Sequence, residues 1–183
     1  MHDQSPSDLL RQYLVGDVMT RSVFTARPDE TLLAAARTMR AHHVSGLPVV
    51  RPKGTVVGVL SEKDIVRILD RALGIARARG ILDLILAAQE PNPRDVLHRS
   101  IDELTEVVVK KAMTSPAVTV EEDAPLGEAE RLIRQYSVNR LPVLRQEQLA
   151  GIVTREDILD VLNGERPHER PRRRYARGRR AAP

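Results

Sequence analysis

The chain of 183 residues has no cysteine, no tryptophan, one phenylalanine and three tyrosines. Without cysteine, disulfides, thiolate metal sites and cysteine nucleophiles are excluded together, which suits a reducing interior. The four aromatics, Tyr13, Phe24, Tyr136 and Tyr175, leave almost nothing on which nucleic-acid bases could stack, an argument against RNA modules of the aromatic-platform type. Long apolar stretches are missing too: no run exceeds the five residues of Leu84 to Ala88, far short of a membrane span, and the N-terminus MHDQSPSDLLRQYLVGD lacks a basic-then-apolar signal pattern. The expectation is a soluble cytoplasmic protein with no membrane contact. There is no GxSxG or GxxxxGK[ST] segment, serines and histidines are scattered, and no catalytic set emerges. No enzyme activity and no catalytic cofactor are expected.

What is present is enough for a folded core. Hydrophobic residues make up 42% of the chain, so the interior must be built from Val, Leu, Ile and Ala. The net charge of +4 is unevenly spread: residues 165–183 carry eight arginines against Glu165 and Glu169, which leaves residues 1–164 at −2. That tail, with three prolines and no apolar periodicity, reads as disordered. It is either a solubilising extension or an electrostatic contact for nucleic acid or another acidic surface.

The dominant signal is internal duplication. From Val18 the chain reads VMTRSVFTARPDETLLAAARTMRAHHVSGLPVV, and from Ala112 it reads AMTSPAVTVEEDAPLGEAERLIRQYSVNRLPVL. An offset of 94 pairs Met19 with Met113, Thr20 with Thr114, Asp29 with Asp123 and Leu47-Pro48-Val49 with Leu141-Pro142-Val143. One residue then drops out, and an offset of 93 pairs Gly58 with Gly151, Asp64 with Asp157 and Ile65 with Ile158.

Each unit of about fifty residues reads strand, helix, strand, strand, helix. In the first, Val23 to Thr25 is a short strand, and Asp29 caps a helix from about Leu32 to Ala41 with Leu32, Ala35, Ala36 and Met39 on one face. Leu47 to Val50 and Val56 to Leu60 are strands joined by a turn at Pro52-Lys53-Gly54, and a helix from Glu62 to about Ala72 closes the unit. Pro48 and Pro142 read as strand-entry residues, and His42 and His43 as helix-end residues without metal partners. The fold class is α+β, one pseudo-symmetric core formed by two repeats. Ser7 caps an N-terminal helix, residues 1–17, that is expected beside the first repeat, residues 18–70. A helical spacer, 71–111, precedes the second repeat, 112–163, and the tail, 164–183. In the spacer, Ile81, Leu84, Ile85 and Ala88 form a stripe, Pro91-Asn92-Pro93 breaks it, and Ser100 with Glu103 makes a capping box.

The segments GVLSEKDI, from Gly58, and GIVTREDI, from Gly151, place a hydroxyl residue and, three positions on, an aspartate at a helix start. Ser61 with Asp64 and Thr154 with Asp157 are therefore either capping boxes or the wall of a sugar-phosphate site, since a helix N-terminus offers N–H groups to an anion and a carboxylate accepts from a ribose diol. Arg140 is the best-placed cation for a phosphate; its alternative is a surface guanidinium with its stem on the sheet.

The paired MT, VSGLPVV or VNRLPVL, and G-apolar-apolar-[ST]-x-x-D-I segments resemble a tandem pair of cystathionine-β-synthase (CBS) domains over residues 18–70 and 112–163. The resemblance implies two composite clefts for adenosine-containing ligands such as AMP, ADP, ATP or S-adenosylmethionine. Carried over by position, one would combine Thr20, Val23, Phe24, Val44, Ser45 and Gly46 with Ile152, Thr154 and Asp157. The other would combine Thr114, Val118, Val138, Asn139 and Arg140 with Val59, Ser61 and Asp64. Asn139 and Arg140 crowd the second cleft where Ser45 and Gly46 leave the first open, so the two should differ in affinity. The resemblance also implies a flat homodimer, with the stripes on Leu32 to Met39, Leu126 to Ile133 and the spacer as apolar surface. The resulting expectation is a stand-alone regulatory module controlling an unidentified protein. Alternatives are a structural or dimerisation protein with empty clefts, or a nucleic-acid-associated protein acting through the tail.

Overall fold

The computed structural model describes residues 5–73 and 104–165. The spacer stripe and capping box, and the arginine tail from residue 166, lie outside the described residues. The first unit contains α1 (Pro6–Arg11), α2 (Val15–Val18), α3 (Leu32–His42), β1 (Gly46–Val50), β2 (Val56–Ser61) and α4 (Glu62–Leu73). The second contains α5 (Val109–Ala112), β3 (Val120–Glu121), α6 (Leu126–Tyr136), β4 (Arg140–Arg145), β5 (Gln148–Thr154) and α7 (Arg155–Leu162).

The mixed α+β class holds, and the order α2, α3, β1, β2, α4 recurs as α5, α6, β4, β5, α7. β1 and β2 are antiparallel, as are β4 and β5, and β3 joins β4 in parallel. The strand expected at Val23 to Thr25 is reduced to a single parallel bridge between Ala26 and Val49, the counterpart of Val120 on Val143. Both central helices end on a left-handed residue, His43 at φ 53° and Ser137 at φ 53°. Two cap assignments move. Thr31, not Asp29, caps α3 and accepts from the Ala34 N–H at 3.2 Å, while Asp29 pairs with Arg27. Ser5, not Ser7, caps α1. Neighbouring acceptors compete for each cap, and the extended backbone at Thr31 and Ser5 decides between them. Pro48 and Pro142 stand third in their strands rather than at the entries, and the Ala26 N–H donates to the Pro48 carbonyl at 2.9 Å.

The N-terminal helix does not pack beside the first repeat. Leu10, Val15, Val18 and Met19 are buried with Leu126, Ala129, Ile133, Leu141 and Val153 of the second repeat. Reciprocally, Leu104, Val109 and Ala112 are buried with Leu32, Ala36, Met39, Leu47 and Leu60 of the first. The interior is thus two apolar clusters with exchanged segments, where a single core was expected. Backbone pairing fixes the exchange: Leu126 N–H donates to Tyr13 O and Val15 N–H to Ala124 O, while Leu32 N–H donates to Val107 O and Val109 N–H to Glu30 O, each at 2.9 Å. The amides of Leu32 and Leu126 open helices and have no intrahelical acceptor, so each incoming segment satisfies a group the receiving repeat leaves unpaired. The stripes on α3 and α6 expected to face a second chain are consumed here, with Leu32, Ala35, Ala129 and Leu126 fully covered.

Candidate ligand clefts between the repeats

Both helix starts form the capping box. Asp157 Oδ2 accepts from the Thr154 N–H at 2.7 Å and from Thr154 Oγ1 at 2.8 Å, and the Asp157 N–H donates to Thr154 Oγ1 at 3.2 Å. Asp64 Oδ2 accepts from the Ser61 N–H at 2.9 Å and from Ser61 Oγ at 2.6 Å. Capping uses one oxygen of each carboxylate. The second oxygens differ. Asp64 Oδ1 is held by Arg67 Nη2 at 2.8 Å, whereas no hydrogen bond to Asp157 Oδ1 is found among the described residues. Asp64 is buried and Asp157 half-buried. Burial pushes the Asp157 carboxyl above its ordinary value, opposed by the two Thr154 hydrogen bonds and reinforced by the neighbouring Asp160 and Glu156.

Each helix start meets a threonine from the other repeat. Thr20 N–H donates to Ile152 O at 2.9 Å and Ile152 N–H to Thr20 O at 3.0 Å; Thr114 and Val59 exchange the same pair at 2.9 and 3.0 Å. The glycine that opens each GVLS or GIVT segment permits the approach. A Cβ on Gly58 would stand 2.6 Å from Met113 Sδ and 2.8 Å from Thr114 O, and one on Gly151 would collide with Met19 Sδ.

The loops entering β1 and β4 group differently from the expectation. Gly46 is in register with Ser61 and the Glu62 N–H donates to Ser45 O at 3.2 Å, so Val44, Ser45 and Gly46 adjoin Ser61 and Asp64 of their own repeat. Likewise Arg140 is in register with Thr154 and the Arg155 N–H donates to Asn139 O at 3.0 Å, which puts Val138, Asn139 and Arg140 beside Thr154 and Asp157. Antiparallel hairpin register imposes this, because the strand that ends at the hydroxyl residue pairs with the strand that begins at the loop. What crosses between repeats is the threonine segment.

Arg140 crosses as well. Its Nη1 donates to Gly46 O at 3.0 Å and its Nη2 to Ser45 Oγ at 2.5 Å. Burial lowers its pKa and the Glu62 carboxylate opposes that, so the guanidinium is neither a free surface group nor committed to one repeat. Val44, Val118 and Val138 are half-buried against the two cores, Val23 and Val59 are half-buried, and Thr20, Thr114, Ser45 and Asn139 are exposed. Phe24 stacks on His42 with ring centroids 3.5 Å apart. Arg67 was not anticipated as part of either cleft; its signal was the mismatch with Asp160, its counterpart at offset 93. Among the described residues no group of three His, Asp or Glu could hold a metal ion, and no helix is long and apolar enough to cross a membrane.

Two βαββα-like units with exchanged lead segments and a hydroxyl–carboxylate pair at each closing helix define a tandem α+β domain pair. A family model for the CBS domain matches residues 15–71 and 109–164, and the chain belongs to that family. It is 31% identical over 153 residues to an uncharacterized protein of Methanopyrus kandleri, covering 83% of this chain and 64% of that one. It is also 31% identical over 150 residues to a CBS domain-containing protein of Dictyostelium discoideum, covering 81% and 90%. Among solved structures, the CBS domain of a membrane protein from Sphaerobacter thermophilus is similar at a TM-score of 0.66 and 28% identity, over 85% of this chain and 91% of that one. CBSX2 in complex with AMP is similar at 0.62 and 26%, over 83% and 97%. A CBS domain pair in complex with 5-methylthioadenosine and S-adenosyl-L-methionine shares the fold at 0.60 and 23%.

Proposed function

We propose that the chain is a regulatory module that binds an adenosine-containing ligand, AMP, ADP, ATP or S-adenosylmethionine, between its repeats, and that it has no catalytic activity of its own. The observation that carries this is the second oxygen of Asp157. A capping box needs only Oδ2, which leaves Oδ1 at a helix start whose preceding strand pairs with Thr20 of the other repeat, and a carboxylate oxygen there can accept from a ribose diol. Arg140 stands opposite Thr154 on the paired strand and would supply the cation for a phosphate. The AMP complex of CBSX2, a relative in fold and sequence, supports the ligand class. Binding would draw Thr20 and Asp157, which belong to different repeats, onto one molecule and so change how the repeats sit for a partner protein.

A thermal-shift panel of AMP, ADP, ATP, S-adenosylmethionine and, as control, GTP tests the reading. A rise with one or more adenosine compounds and none with GTP is expected; ligand at a hundred times its Kd stabilises by about 2.7 kcal/mol. No rise with any of them overturns it and leaves the structural role. We also propose a homodimer in the cytoplasm, supported by the apolar side chains left outside on the last helices, Tyr136 and Leu159, both about half exposed. A monomer by light scattering at tens of micromolar would exclude the dimer.

A further inference from the structure

The two clefts are built from equivalent residues, yet the residue three positions after each carboxylate differs in charge. Three positions after Asp64 the chain has Arg67; three positions after Asp157 it has Asp160. Residues three apart on a helix lie on the same face, so each stands on the side of the carboxylate before it. Arg67 does so: Nη2 donates to Asp64 Oδ1 at 2.8 Å and also to the carbonyl of Ala112 at 3.1 Å. Ala112 lies two residues before Thr114, which pairs with Val59 across the repeats. Arg67 therefore ties together the two walls of its cleft, the helix start that carries Asp64 and the threonine segment from the other repeat. With Oδ2 in the cap and Oδ1 on Arg67, both oxygens of Asp64 are taken, and the side chain is buried.

In the other cleft the corresponding residues are Asp160 and Val18. An aspartate cannot donate to a carboxylate, so the same strap cannot form, and among the described residues nothing bridges Asp157 Oδ1 to the Thr20 segment. Arg140 does not separate the two sides: it is in register with Thr154, but its guanidinium donates to Gly46 O and Ser45 Oγ of the other repeat, so the difference rests on the carboxylate oxygens.

We infer that each chain takes a single adenosine-type ligand, in the cleft of Asp157, and that Arg67 closes the cleft of Asp64 by occupying the oxygen a ribose would need. This rests on the proposed function and adds which half of the pseudo-symmetric pair performs it. Arg67 acts as a specificity residue through Asp64 and through the Ala112 carbonyl. Its side chain is half exposed, so exchange for alanine removes the strap without opening the core.

Isothermal titration with AMP, on the full chain, decides between outcomes, with melting temperatures confirming that each variant is folded. The wild type is expected to bind one AMP per chain. Arg67→Ala is expected to gain a second site, and Arg67→Ala combined with Asp64→Asn to lose it again, with Arg67→Gln as a second route to the open cleft should the alanine variant be unstable. Two sites in the wild type, or still one in both Arg67 variants, would overturn the role given to Arg67 while leaving the adenosine reading intact. Binding of neither AMP nor S-adenosylmethionine by wild type and variants alike would overturn the adenosine reading, and this inference with it.

Discussion

Arg140 and Gly46 hold equivalent places in the two repeats and touch: Arg140 Nη1 donates to the Gly46 carbonyl at 3.0 Å. Two positions related by an approximate two-fold can meet only where its axis passes, so this contact marks the axis. The identities of the pair follow. Two arginines there would set like charges against each other, and a side chain at Gly46 would meet Leu60 O at 2.8 Å and Arg140 Nη1 at 2.9 Å. The axis accommodates one guanidinium because the other side has no Cβ.

Gly46→Ala should therefore destabilise the fold by about 1–3 kcal/mol, since the carbonyl it meets belongs to a paired strand and cannot yield as a side chain would. Arg140→Ala removes the clash with the guanidinium but not with Leu60 O, so the double variant should recover part of the loss. Urea denaturation of the three variants measures both. In ligand binding, Arg140→Ala should lose about 1.5–3 kcal/mol of affinity for AMP and little for adenosine, because only the phosphate uses the cation. Equal losses for both would show that Arg140 acts on the shape of the cleft alone.

Asp157→Asn separates cap from ligand wall. If Oδ1 holds a ribose diol, affinity falls by about 1.5–3 kcal/mol, while lost capping costs about 1 kcal/mol or less of stability. The pH dependence has a definite sign. The folded carboxyl titrates above its ordinary 3.8, so between that value and the folded pKa the native state binds more protons than the unfolded one. Stability at this group is therefore present at low pH and lost as pH rises through the window. In Asp157→Asn this falling component disappears, leaving a flatter stability profile by denaturation from pH 3.5 upward.

Glu122 carries the opposite sign. Its carboxylate is held by Arg145 and by Arg21, the latter at 2.9 Å, and these pull its pKa from 4.5 down to about 2. The stability it contributes is present above 4.5 and lost as pH falls toward 2. Arg21 follows the exchanged N-terminal segment, so the pair fastens that segment to the second repeat. Glu122→Gln should lower the melting temperature at neutral pH, more at low salt than at high, and remove that part of the acid dependence. A melting temperature unchanged at every pH and salt would show the cluster to be idle.

Leu10 tests the exchange itself. It is 5% exposed within the cluster of Leu126, Ile133, Ile158 and Val161. Leu10→Ala should cost about 2–4 kcal/mol. Hydrogen exchange should show protection falling first in α6, α7 and the β4–β5 hairpin, with β1–β2 affected less. Loss concentrated in β1–β2 would mean that α1 stabilises its own repeat.

The duplication, the hairpins, the closing helices and the hydroxyl–carboxylate boxes were all legible in the sequence, because each is closed by contacts three or four residues apart or by a periodicity of two or 3.6. The family resemblance rested on those same segments. Where the choice lay between adjacent acceptors, as between Asp29 and Thr31 or Ser7 and Ser5, composition could not rank them, since backbone direction at the cap decides. Partner choice was the larger gap. Leu10 and Val15 present an apolar face that either repeat could accept, and only the unpaired amides of Leu126 and Val15, with the acceptors opposite them, commit it to the second. The same holds for Arg140 reaching Gly46 and for Arg67 reaching Ala112: donor and acceptor stand 94 and 45 residues apart, and nothing along the chain relates them until the fold sets them at hydrogen-bond distance. Sequence determined two hydroxyl–carboxylate boxes of the same plan; tertiary structure decided that the second oxygen of Asp64 is taken by Arg67, while no hydrogen bond to that of Asp157 is found among the described residues.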